Sequence, residues 1–97
     1  MRIIAKKTLR EFWERHADAQ GSLEAWYDDA KQAIWRTPTE IKTIYKNASI
    51  LPNNRVVFNI KGNTYRLVVA VNYAYGMVHI RFIGHHRDYD KIDATTI

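Results

Sequence analysis

The carboxyl-terminal part of the sequence gathers ionisable side chains at close spacing. From position 81 to position 93 the chain carries Arg81, His85, His86, Arg87, Asp88, Tyr89, Asp90, Lys91 and Asp93. Metal-free cleavage of RNA needs one group that takes the proton from the ribose 2′-OH, one that protonates the departing 5′-oxygen, and cations around a phosphorane-like transition state. Imidazole suits the proton transfers and guanidinium suits the phosphate. This stretch therefore has the residue types that such a reaction requires.

A second basic group precedes it along the chain and contains Arg55, Lys61, Asn63 and Arg66. Arg66 falls in the middle of a predicted central strand, where an arginine is unfavourable unless a site uses its charge. The alternative interpretation is that these arginines and histidines face solvent or pair with the nearby aspartates.

Two other chemistries fit the sequence poorly. A metal site would need ligands that converge, but His85 and His86 are adjacent and would diverge on an extended chain, while His16 belongs to a predicted helix. Cysteine is absent, and Ser22 and Ser49 resemble a helix cap and a loop residue, which argues against nucleophilic catalysis. We expect no metal and no cofactor.

The elements that must position these residues are predicted to be three antiparallel strands. Gly62-Asn63 and Tyr75-Gly76 are turn residues that suit two-residue hairpin loops. The predicted strands are Arg55 to Ile60, Thr64 to Ala74 and Met77 to Ile83.

This register places Asn72 opposite His79 and Ala70 opposite Arg81. Arg66 and Arg81 would then emerge side by side on one face of the sheet. The opposite face would be apolar throughout and covered by helices. Its predicted members are Val56, Phe58, Ile60, Tyr65, Leu67, Val69, Val71, Tyr73, Val78, Ile80 and Phe82. The basic, uncovered face would carry Arg55, Val57, Asn59, Lys61, Thr64, Arg66, Val68, Ala70, Asn72, Met77, His79, Arg81 and Ile83.

Apolar residues at three- and four-residue spacing predict two long helices, over about 9–19 and 22–36. Thr8 and Glu11 form a capping-box pattern at the start of the first helix, and Gly21 is predicted to end it.

Capping also predicts a third, shorter helix, which begins after Thr37 with Pro38 at its first position and Glu40 completing a capping box. It would end near Lys46. Residues 2–5 form a short apolar segment that could add an edge strand. The predicted fold class is α+β, with two long helices and one short helix packed on one face of a small antiparallel meander.

Composition limits the broader possibilities. The chain has 97 residues, a single domain's length, and 15 lysines and arginines against 10 acidic residues, a net charge of +5. This charge favours a polyanionic partner. No apolar run approaches the length of a membrane span or a signal peptide, so we expect a cytoplasmic protein with no membrane partner. The last residues, 94–97, are expected to be frayed.

Two motifs together resemble the HigB-type branch of the RelE-like bacterial toxins. The first is the segment from Phe58 to Leu67, FNIKGNTYRL, and the second is the segment from His86 to Ile92, HRDYDKI. The resemblance covers most of the chain, and the spacing between the motifs is similar. By position, Lys61 and Arg66 match the lysine and arginine of the family's first hairpin. His86, Tyr89 and Lys91 match its carboxyl-terminal pattern, while His85 departs from it, because a small polar residue is common there.

The resemblance implies a single RelE-like toxin domain over residues 1–97, with helices packed on a small antiparallel sheet. It also implies a ribosome-dependent mRNA endonuclease that acts at the ribosomal A site. The expected partner is a cognate antitoxin, usually encoded beside the toxin and of helix-turn-helix type.

These observations lead to the hypothesis of a metal-independent ribonuclease toxin. Its predicted catalytic residues are Arg66, Arg81, His86 and Tyr89, with the two arginines at the scissile phosphate, His86 as acid or base, and Tyr89 positioning a nucleotide. Its predicted RNA-binding residues are Lys61, Asn63, Arg55, Lys91 and His85. The alternative is a non-catalytic RNA- or ribosome-binding domain that uses the same basic face, and a third possibility is a docking surface for an acidic protein.

Overall fold

A five-stranded sheet with helices on one face forms the framework of the computed structural model, which describes residues 1–97. The elements in chain order are β1 (Arg2–Ile4), α1 (Lys6–Arg15), α2 (Gln20–Gln32), α3 (Pro38–Ile44), β2 (Ser49–Leu51), β3 (Arg55–Ile60), β4 (Tyr65–Asn72), β5 (Met77–His85) and α4 (His86–Tyr89). The strand order is β1-β5-β4-β3-β2, in which only β1 and β5 are parallel. The predicted α+β class and the edge strand near the amino terminus are confirmed. None of the helices is long and apolar enough to cross a bilayer.

The helix boundaries show where local capping signals decide and where they do not. α3 begins as predicted, because the Thr37 hydroxyl accepts a hydrogen bond from the Glu40 N–H at 3.3 Å and Pro38 follows the cap. The capping box predicted for Thr8 is wrong, since α1 already begins at Lys6 and Thr8 lies inside its first turn. Gly21 does not end a helix either. It lies inside α2, because α1 has already ended at Arg15.

The main core lies between the helices and the inner face of the sheet. Leu9 of α1, Leu23 and Trp26 of α2, and Ile41 of α3 pack against β-strand residues, among which Phe58 is the largest that is fully buried. Trp35 follows α2 and is also buried, at 6.0 Å between ring centroids from Phe58. The helical layer therefore holds the sheet through an apolar interface.

The first hairpin has the predicted register, with Asn59 opposite Arg66. A short strand that was not predicted, β2, precedes it and pairs with β3. The turn between β2 and β3 contains Asn53 and Asn54, at φ 60° and 58°, values that asparagine tolerates better than most residues.

The second hairpin differs from the prediction. Asn72 pairs with Met77, and its side-chain oxygen accepts a hydrogen bond from the Tyr75 N–H at 3.0 Å, so the loop spans residues 73–76. This change shifts β5 by two residues relative to β4, so each side chain stays on its predicted face of the sheet. A bulge further along β5 then moves the side chains beyond it to the opposite faces.

The bulge lies at Arg81, because Ile80 pairs with Val69 and Phe82 pairs with the adjacent Val68. The extra residue reverses the alternation of β5 beyond this point. Phe82 therefore lies on the outer face instead of the helix-covered face, and Ile83 packs against the main core instead of facing outward.

The prediction of an uncovered outer face is wrong. Residues 90–97 fold back across it, where Ala94 is buried against Val57 and Val68. We call this group the outer cluster, and the residues packed around it are Leu51, Phe82, Tyr89 and Ile97. Hydrogen bonds hold the carboxyl-terminal residues in place, including one from the Asn53 amide to the Thr95 carbonyl oxygen at 3.0 Å. The segment is therefore bound to the sheet, not frayed.

Candidate active site

A shallow polar depression of about 360 Å³ lies where β5 ends and α4 begins. It has no apolar residue in its lining, which consists of Asn63, Thr64, His85, His86 and Arg87. The first hairpin and the carboxyl-terminal motif meet here because β4 pairs with β5, with Tyr65 opposite His85. The structure therefore brings the two motifs of the sequence together. We call this feature the polar depression.

His86 enters the depression from the first position of α4 and is exposed. Its backbone N–H donates to the Thr64 carbonyl oxygen at 3.4 Å, which fixes the start of α4 beside the first hairpin. Its Nδ1 lies 3.6 Å from Asp90 Oδ2, four residues further along the chain. This distance is longer than a hydrogen bond, so the carboxylate is a nearby anion and does not fix the ring.

Arg66 does not line the depression, but it is held by Asn63, which does. Arg66 Nη1 donates to Asn63 Oδ1 at 2.6 Å and to the Asn63 carbonyl oxygen at 3.3 Å. A guanidinium has five N–H donors in a planar fork, so donors remain for a phosphate after these two bonds. The hairpin turn thus orients a cation beside the depression, and Gly84, opposite Arg66 in β5, adds no side chain there.

His85 lines the same depression but is packed toward the helices. Its ring centroid lies 5.0 Å from that of Tyr65 and 5.2 Å from that of His16, and the His16 ring stacks on Phe12 at 4.3 Å. His85 is therefore half-buried and held by aromatic contacts, whereas His86 is exposed. Both adjacent histidines reach the depression.

Asp18 binds two side chains of the first hairpin. Its Oδ1 accepts a hydrogen bond from the Tyr65 hydroxyl at 2.7 Å, and its Oδ2 accepts one from Lys61 Nζ at 3.0 Å. The bond to Tyr65, followed by that to Lys61, holds the pKa of Asp18 below its ordinary value, and the same bond raises the pKa of Tyr65. Lys61 is therefore engaged in an ion pair with the helical layer.

Arg81 and Arg55 do not join the depression. Arg66 of β4 pairs with Gly84 of β5. Arg81 lies three residues before Gly84, with Phe82 between them. The expectation that Arg66 and Arg81 stand side by side is therefore wrong. Arg81 is exposed at the bulge in β5. Arg55 is drawn to the carboxyl-terminal segment, where its Nε donates to the Ile97 carbonyl oxygen at 3.0 Å.

Tyr89 and Lys91 follow the depression along the chain. Tyr89 is half-buried and packs against the outer cluster, so part of its ring anchors α4 to the sheet. Lys91 is exposed.

Thr64, Arg87 and Asp18 belong to the site or its support but were not predicted. Arg87 could have been found from its position beside His86, whereas Asp18 has no local signal, because its contacts come from distant parts of the chain.

Comparison with known proteins identifies the family of this chain. The family model of the HigB toxin, described as the RelE-like toxic component of a toxin-antitoxin system, matches residues 19–92. The chain belongs to the HigB family of RelE-like toxins. This confirms the family predicted from the two motifs.

Relatives with curated names are similar over nearly the full chain. The mRNA interferase HigB of Escherichia coli O6:H1 is 26% identical over 94 residues, which cover 95% of this chain and 91% of the relative. The mRNA interferase toxin HigB of Escherichia coli K12 is 24% identical over 96 residues, with 97% and 92% covered. The mRNA interferase HigB of Escherichia coli O157:H7 has the same identity and coverage.

Proposed function

We propose that this HigB-family chain is the endoribonuclease toxin of a type II toxin–antitoxin pair and inhibits translation by cutting mRNA. The observation that carries this proposal is the polar depression, where two histidines and Arg87 converge and where Asn63, which also lines it, holds Arg66. The names of its relatives as mRNA interferases agree with it. The chain acts as a single domain in the cytoplasm, on mRNA in the ribosomal A site.

The reaction follows from the groups around the depression. The ribose 2′-OH attacks the adjacent phosphate, and the 5′-oxygen leaves, so the products are a 2′,3′-cyclic phosphate and a 5′-hydroxyl. The 2′-OH loses a proton and the departing 5′-oxygen gains one, so the step consumes no proton overall. His86 performs one of these two transfers and water performs the other, and the Asp90 carboxylate lies 3.6 Å from His86 Nδ1. Arg66, with Arg87 beside the histidines, stabilises the negative charge on the phosphorane-like transition state. The reaction has no metal-dependent step.

The remaining predicted residues lie around this centre. Tyr89 positions a nucleotide through the exposed part of its ring, and Lys91 binds phosphate beyond the depression. Arg81, separated from Arg66 by Phe82 in the register, binds a flanking phosphate and not the scissile one. His85, Asn63 and Lys61 contribute to RNA binding at the hairpin side.

Cleavage of ribosome-bound mRNA in the presence of EDTA tests this function. We expect Arg66→Ala and His86→Ala to reduce the cleavage rate about 100-fold or more, because each removes a charge-stabilising or proton-transfer group. Matched controls are Arg10→Ala on the exposed surface of α1 and His79→Ala in β5, neither of which lines the depression. Both should cut within twofold of the parent rate.

The products distinguish the enzyme from a non-catalytic RNA-binding domain. New RNA ends that carry a 2′,3′-cyclic phosphate or a 3′-phosphate support the proposal. Salt-sensitive RNA binding without new ends would contradict it, and equal cleavage of free mRNA without ribosomes would contradict the dependence on the ribosome. Full activity of Arg66→Ala would remove the central role assigned to that residue.

A further inference from the structure

Two isoleucines are strongly exposed at the end of the helical layer. Ile34 lies in the connection between α2 and α3 and is 71% exposed, and Ile44 is the last residue of α3 and is 66% exposed. A single exposed isoleucine is ordinary, but these two border the same cleft of about 330 Å³. They therefore form one apolar surface.

This cleft continues into a second one of about 370 Å³, because Ala33, Trp35 and Ile44 line both. We call the combined feature the isoleucine groove. Neither part shares a residue with the polar depression. A molecule bound in the groove would leave the proposed catalytic groups free.

The charges at the groove indicate what kind of molecule fits it. Its ionisable carboxylates are Asp29 in one part and Glu40 in the other, and no lysine, arginine or histidine lines either part. On a chain with a net charge of +5, this is an acidic border around an apolar surface. RNA is disfavoured there, since its phosphates would face carboxylates. A symmetric contact with a second copy of the chain is also disfavoured, because it would add two more carboxylates to the interface and no lysine, arginine or histidine from these clefts.

We propose that the isoleucine groove binds the antitoxin, through a segment whose apolar side chains enter the cleft and whose lysine or arginine side chains pair with Asp29 and Glu40. The existence of a protein partner follows from the toxin–antitoxin family. The proposal extends the proposed function by naming the surface at which the toxin is controlled. Because the groove shares no residue with the polar depression, a segment bound in the groove does not itself fill the depression.

Binding of the protein encoded beside the toxin gene tests this, with the full toxin chain titrated against that protein. Ile34→Asp and Ile44→Asp should weaken binding about tenfold or more, because each places a carboxylate in an apolar contact. Tyr75→Asp is the matched control. Tyr75 is another large exposed residue, at 80%, but lies in the loop between β4 and β5. The Tyr75→Asp variant should bind that protein with an affinity within twofold of the parent's.

A second pair of variants tests the charges. Asp29→Lys should weaken binding by a similar factor, whereas Asp28→Lys, the same change at the neighbouring exposed residue outside the groove, should have little effect. All variants alter exposed positions, and circular dichroism and the melting temperature establish that each is folded.

The proposal fails if Ile34→Asp and Ile44→Asp bind as tightly as the parent, or if Arg66→Ala and His86→Ala are the variants that weaken binding. It also fails if the free toxin is a dimer that Ile44→Asp converts to a monomer, since the groove is then an interface between copies. The cleavage assay separates this proposal from the proposed function. Ile44→Asp should cut mRNA at the parent rate but escape inhibition, whereas a toxin that cuts nothing yet binds through the groove would refute only the ribonuclease function.

Discussion

Replacement of Gly84 by alanine tests how closely the outer cluster is packed against the site. Gly84 lies opposite Arg66 in the sheet and is buried. An alanine Cβ at this position would lie 2.7 Å from Phe82 Cζ and 3.3 Å from the two neighbouring ring carbons. Favourable carbon–carbon contacts are about 3.5–4.0 Å long, so the ring or the strand must move.

The magnitude follows from the surroundings of the ring. Phe82 packs against the outer cluster and cannot rotate away without opening a contact there. Overpacking of this kind destabilises proteins by about 1–3 kcal/mol. For a domain of this size, each kcal/mol lowers Tm by roughly 4–8 °C, so we expect Gly84→Ala to melt about 5–20 °C below the parent.

Thermal unfolding followed by circular dichroism measures this effect, with Gly21→Ala as the matched control. Gly21 lies inside α2 and a Cβ there meets no atom within 4 Å. That change should stabilise the protein by about 0.5–1 kcal/mol, because alanine is the better helix former. In a Phe82→Leu background, Gly84→Ala should be nearly neutral. A Gly84→Ala protein that melts at or above the parent temperature, or the same loss with leucine at position 82, would refute the packing explanation.

Four further outcomes follow from the structure. Asp18→Asn should release Lys61 and tighten RNA binding a few-fold at low salt in a filter-binding assay; unchanged affinity would show that the ion pair does not compete with phosphate. The bonds to Asp18 stabilise the fold above its unfolded pKa of 3.8 and are lost as the pH falls through its lower folded pKa. The free energy of unfolding, measured in urea, should therefore decrease in acid, and Asp18→Asn should lack this decrease. Burial, with the nearby Asp29, raises the pKa of Tyr45 from 10.0 to about 12. The free energy of unfolding should therefore decrease between these two pH values, and it should decrease less in Tyr45→Phe. An equal decrease in both proteins would contradict this. Ala94→Asp should destabilise the protein by roughly 1–3 kcal/mol in urea, because it places an unpaired carboxylate in the outer cluster; a neutral effect would mean that residues 90–97 do not stay on the sheet.

Several features could be predicted because their causes lie within a few residues. Gly62 and Asn63 are turn residues that bring β3 and β4 together in the observed register, so the placement of Asn59 opposite Arg66 was predictable. The start of α3 was predictable for the same reason, since Thr37 and Pro38 act on adjacent backbone groups. The two motifs of the family are also local, and they were sufficient to predict membership.

Other features depend on contacts between distant parts of the chain. The bulge at Arg81 shows only in the pairing of β5 with β4, and no residue near Arg81 signals it. It reverses the faces of the strand beyond Arg81 and turns Phe82 outward. Likewise, the pairing of Asp18 with Lys61 joins residues 43 positions apart.

The sequence by itself determined the residue types of the site, the first hairpin that orients Arg66, and the toxin family. Only the tertiary structure decided which cations share the polar depression, that both His85 and His86 reach it, and that residues 90–97 cover the outer face. The physical reason is that turns and caps are set by neighbouring backbone groups. The face of a strand beyond a bulge and the docking of a terminal segment depend instead on packing over the whole sheet.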